Sequence, residues 1–194
     1  MSTVQAPYGL RAVNELGGLP YAGSTRTFLI DPAGTASNMY NGTVVAVNTS
    51  GYLYPVTNVG SAADPFPAGV VGVFVGCSYV NAQGQPIYAQ YYPTGTTGVV
   101  TAYVVDDDRT VFQVQANGSL GQTALGANVV FSAAQTGSTS TGNSTTAVST
   151  TLAATATIAF KVVGFASGPG DAYTDLLVKF NVGSHAYNTG LGVA

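Results

Sequence analysis

Apolar and polar residues follow one another in short blocks along this chain, and Gly, Pro, Asn and Asp punctuate the blocks. That rhythm predicts strands joined by turns. Residues 27–30 form a first apolar block ending at Asp31-Pro32, and 43–47 a second between Asn41-Gly42 and the 48–51 turn. Residues 52–54 lead into Pro55. The run 69–80 is almost continuous in apolar and small residues, the pattern of a strand covered on both faces. Its glycines mark places where another backbone comes close. A turn at 81–84 leads to a partner strand at 87–92. In the second half, Phe112, Val114 and Ala116 alternate with Gln113 and Gln115, and Asn117-Gly118 reads as a hairpin turn. Residues 158–162 and 176–182 show the same period of two, which is that of half-buried strands.

Three stretches lack that rhythm. Residues 1–25 carry apolar anchors between Gly and Pro without a period, and read as an extended N-terminal arm. The arm could pack on another molecule or fold back on its own domain. Residues 93–98 are the best internal boundary, so that a β domain over 26–194 could divide into halves 26–93 and 98–194. Residues 135–151 are dominated by Ser, Thr, Gly and Asn, the composition of a mobile loop or of an extended segment laid over a sheet. No strong amphipathic helix is visible. The expected class is all-β, an antiparallel β-barrel or β-sandwich with an extended N-terminal arm and a Ser/Thr-rich loop.

Composition narrows the role. Only 7% of residues are charged, against roughly 25% in an ordinary soluble protein. Polarity comes instead from hydroxyls and amides, which cost far less than charges to bury in a contact. Such a surface suits large neutral protein–protein interfaces. Five basic residues and a net charge of −3 leave no basic stripe for nucleic acid. Mean hydropathy is +0.27, yet no run approaches the ~18 apolar residues of a spanning helix. The first residues show no cationic start followed by an apolar block, so no signal peptide is expected.

Candidate chemistry is sparse. One cysteine, Cys77, and one histidine, His185, could in principle form a nucleophile and base. Cys77 sits in an apolar run, where a thiol is usually a small buried hydrophobe. Zinc ligands at workable spacing are missing. Asp106, Asp107 and Asp108, completed by Asp171 and Asp175, could offer oxygens to Ca2+; the plainer reading is a solvated turn beside Arg109. Sequons at Asn41, Asn48, Asn117 and Asn143 follow from composition. Tyr88, Tyr91 and Tyr92 gather around one strand, as interface tyrosines do, or as an aromatic sugar platform would.

Five segments support a comparison: APYGLR at 6–11, GVFVGCSY at 72–79, VVDDDRTVFQVQ at 104–115, STGNSTT at 140–146 and GDAYTDLLVKFN at 170–181. In this order they resemble segments of tailed-bacteriophage structural proteins, known especially from phages of cyanobacteria and marine bacteria. The resemblance implies a capsid decoration (cement) protein. It would be made in the host cytoplasm, bind the outside of the major capsid protein shell of the virion, and stabilise the shell against internal DNA pressure. It implies a symmetric homo-oligomer; because shells offer three-fold and pseudo-three-fold sites a trimer is expected, with a dimer as the alternative. No enzyme activity, cofactor, metal, nucleic acid or membrane belongs to that role. Tyr8, Leu10, Arg11, Tyr88, Tyr91 and Tyr92 are the candidate partner-interface residues. The competing expectation is a fibre or tail component that binds a host receptor or glycan.

Overall fold

The structure is a computed structural model that describes residues 3–190, 192 and 193. Its strands are β1 (Arg11–Glu15), β2 (Arg26–Ile30), β3 (Thr43–Val47), β4 (Leu53–Pro55), β5 (Val70–Val80), β6 (Pro86–Ala89), β7 (Val100–Val105), β8 (Thr110–Gln115), β9 (Asn128–Val129), β10 (Phe160–Phe165) and β11 (Asp175–Phe180). Among the described residues the only helical element is a 3-10 turn, Gln122–Ala124. The chain is all-β.

Two sheets share the strands. One runs β3-β4-β2-β7-β5-β6, and β3 also pairs with β5, so that β2, β4, β3, β5 and β7 close into a barrel. The closure is antiparallel except at β2–β4, a parallel contact at Ile30 and Leu53. Ile30, Val45, Leu53, Phe74, Val100, Ala102 and Val104 fill the interior, which Met39 and Tyr92 cap. The second sheet runs β1-β8-β11-β10-β9. It packs on the barrel through a core in which Val44, Val70, Val73 and Val105 meet Phe112, Val114, Leu176, Val178 and Phe180. A chain of edge-on and tilted rings, Phe112–Phe180–Phe160–Phe131, runs through this layer at centroid spacings of 5.0–5.7 Å.

Strand β5 explains its own unbroken apolar pattern. Two bulges, at Val71 and Val75, each add one residue to it. The residues that enter the barrel are therefore Val71, Phe74 and Cys77, three apart, while Val70 and Val73 face the second sheet. Gly72, beside the first bulge, has φ +146°. A Cβ there would sit 2.0 Å from the Val105 carbonyl oxygen, so only glycine lets β5 and β7 close up.

From β2 onward the chain passes from the barrel sheet to the second sheet at the Asp106–Arg109 turn, while β1 joins the second sheet from the other side of the barrel strands in sequence. Strand β7 belongs to the barrel because it pairs with both β2 and β5, which leaves 93–98 as a loop inside that sheet. Asn117-Gly118 does not close a hairpin: β8 lies between β1 and β11, and the chain crosses to β9 at the far edge. Residues 11–15 of the N-terminal stretch form an edge strand on β8. Segment 135–151 is laid over the junction of the sheets. Ser144 and Thr146 are buried and hydrogen-bond each other at 3.0 Å. The Gln135 side chain accepts from Val44 N–H at 2.7 Å and donates to the Val56 carbonyl at 2.7 Å.

Candidate functional site

The reactive side chains lie apart and take part in internal contacts. Cys77 is buried inside the barrel, and burial pushes its thiol up to about 11, which keeps it protonated. His185 packs edge-on between Phe180 and Tyr187 at the start of β5. Its Nδ1 accepts the Tyr187 N–H at 3.3 Å, which leaves Nε2–H to donate to the Val71 carbonyl at 3.0 Å. That carbonyl belongs to the bulged residue of β5. Val71 and Cys77 are six residues apart on β5, roughly 20 Å at the rise of a strand. His185 and Cys77 therefore do not meet.

The carboxylates are equally dispersed. Asp106 pairs with Arg26 Nε at 2.9 Å and accepts from the Tyr187 hydroxyl at 3.0 Å, and Arg26 also donates to that hydroxyl at 2.8 Å. This triad ties the segment after β11 to the barrel mouth. Asp107 caps the turn by accepting the Arg109 N–H at 2.8 Å. Asp175 accepts from the Tyr8 hydroxyl at 2.7 Å, on another face of the molecule. Among the described residues no three His, Cys, Asp or Glu side chains gather as metal ligands would.

The candidate interface residues fall into separate places. Leu10 is buried in the core between the sheets, and Tyr92 is buried in the barrel, its hydroxyl donating to the Thr96 carbonyl at 2.8 Å. Neither presents surface to a partner. Arg11 is exposed and lies 4.5 Å over the Tyr8 ring. Arg11 borders a cleft of about 320 Å³ between β1 and the barrel, floored by Val73, Val75, Val105 and Phe112 and rimmed further by Asn41, Gln90 and Asn143. Tyr91 stacks on Tyr40 at 5.8 Å and 17°, beside a 2.8 Å hydrogen bond from Gln90 to Asn143. Tyr88 stands alone on β6, 80% exposed.

Tyr88 nevertheless belongs to a surface that the sequence reading did not assemble. Where the second sheet does not cover the barrel, β2, β7, β5 and β6 lie side by side. Leu29, Thr101, Ser78 and Tyr88 form one row straight across them. The neighbouring row holds Val99, Val80 and Pro86, since Val100 pairs with Tyr79 and Pro86 with Val80. Leu29 is 50% exposed, Val80 62% and Val99 72%. None of these side chains carries a charge. At the β2 end of this second row stands Asp31, next after Ile30, its carboxylate accepting the Ala33 N–H at 2.9 Å. The signal was available in the sequence: Val100, Ala102 and Val104 alternate with Thr101 and Tyr103, a half-buried strand whose outer face is uncharged.

Compared with known proteins, the chain matches no family model, no curated protein and no solved structure. Among the described residues no helix is long and apolar enough to cross a membrane.

Proposed function

We propose that this chain is a virion structural protein that binds the outside of a major capsid shell and stabilises it against the pressure of packaged DNA. The observation that supports this most is a charge-poor surface that still exposes Val4, Leu16, Leu19, Leu29, Tyr88 and Val99. Exposed apolar side chains without a screen of charges suit a protein whose surface is covered in its working state. The role is structural: Cys77, His185 and Asp106 each take part in a packing or hydrogen-bonding contact that holds the fold. Closed strands and pinned loops give a shape that keeps its contacts under load.

The test uses shells assembled without this chain. Added back, the protein is expected to bind saturably and to raise the temperature at which DNA-filled particles rupture. Equal rupture temperatures with and without it would sink the proposal. A second reading, recognition of a host glycan, draws on the Tyr40–Tyr91 stack beside the Gln90 and Asn143 amides. It predicts that the isolated protein is retained on host polysaccharide and that Tyr91→Ala releases it.

A further inference from the structure

We infer that two copies of this chain pair face to face through the uncharged outer wall formed by β2, β7, β5 and β6. The inference rests on the wall itself and does not depend on the shell. A surface without charge is complementary to another without charge, and every copy of the chain carries one. The residues also match themselves in reverse. With a two-fold axis running along the strands between β7 and β5, β2 lies over the partner's β6 and β7 over the partner's β5. Leu29 then meets the partner's Tyr88, Val99 meets the partner's Val80, and Thr101 meets the partner's Ser78, by the lateral registers of the four strands. Apolar falls on apolar and hydroxyl on hydroxyl.

The wall supplies the centre of an interface. Four strands at about 4.8 Å spacing and about five residues of length give a flat patch of roughly 330 Å². A standard interface buries about 800 Å² on each partner, with a polar rim around such a centre. One flat patch that matches itself makes an isologous, two-fold contact, whereas a three-fold ring needs two different patches. The assembly inferred is a dimer, in place of the trimer expected from the three-fold sites of a shell.

Sedimentation equilibrium of the full chain from 1 to 100 µM tests this. The expected mass is twice the 19.6 kDa of one chain. Val99→Lys and Val80→Glu, at exposed positions that leave the barrel interior untouched, should each weaken pairing at least about tenfold. Val182→Lys, at a residue that is 71% exposed outside the wall, should not. Mixing the Val99→Lys and Val80→Glu proteins should restore pairing, because the two new charges then face each other. Unchanged far-UV spectra would show that all three variants fold. A one-chain mass at every concentration, a three-chain mass, pairing unaffected by Val99→Lys, or no recovery on mixing would each overturn the inference.

Discussion

Below neutral pH, the protonation of His185 is felt through the fold. Burial among Val71, Phe180 and Tyr187 lowers its pKa below the ordinary 6.5, although the Val71 carbonyl and the nearby Asp108, Asp106 and Asp107 pull the other way. Arg26 also stands in this cluster, paired with Asp106. The direction fixes the sign. Above pH 6.5 the ring is neutral both folded and unfolded, and pH makes no difference through it. As pH falls below 6.5 the unfolded chain takes up the proton first, and stability drops until the folded ring is protonated too. The slope approaches ~1.4 kcal/mol per pH unit at most. Denaturant unfolding at a series of pH values should show this slope just below pH 6.5, and His185→Phe, whatever its absolute stability, should flatten it. Equal slopes in the two proteins would refute the assignment.

Among the elements, segment 135–151 is held by one side chain that substitutes for a strand. The Gln135 amide supplies an acceptor to Val44 N–H and donors to the Val44 and Val56 carbonyls. Gln135→Ala leaves buried backbone groups unpaired, and a loss of about 2–4 kcal/mol is expected in the denaturant midpoint. A change below ~0.5 kcal/mol would mean that water replaces the amide. Nothing in the Ser/Thr-rich composition announced this role, because the partners of Gln135 lie some 80–90 residues earlier in the chain. The same physics divides what the sequence revealed from what it hid. β3, β5, β8 and β11 were legible because their side chains meet a core on one or both faces. β1 was not, because Arg11–Glu15 has no periodic face and is a strand only by virtue of β8. The tyrosine candidates suffered likewise: aromatic clustering pointed to 88–92, but whether Tyr88 faces outward and Tyr92 inward depends on the strand ending between them. The uncharged wall needed the order of four strands, which no local pattern carries.

At the scale of the whole molecule, barrel and sheet contribute to a single layer of packed side chains. Val44, Val73 and Val105 of the one rest on Phe112, Val178 and Phe180 of the other. Separating them would expose that layer, so the two sheets should unfold together. Tyrosine fluorescence and far-UV circular dichroism should trace one coincident transition in denaturant; two separated midpoints would contradict the shared core. The edge strand β1 carries a last consequence. Arg11 pairs with Gln113, and the Ala6 N–H is taken by the Gln115 side chain. Roughly 100 residues of synthesis separate these partners, about 5–20 s at the ribosome. Strand β1 must wait for β8 while the whole barrel is made. Capture by the wrong strand in that interval is the hazard of an edge strand made long before its partner.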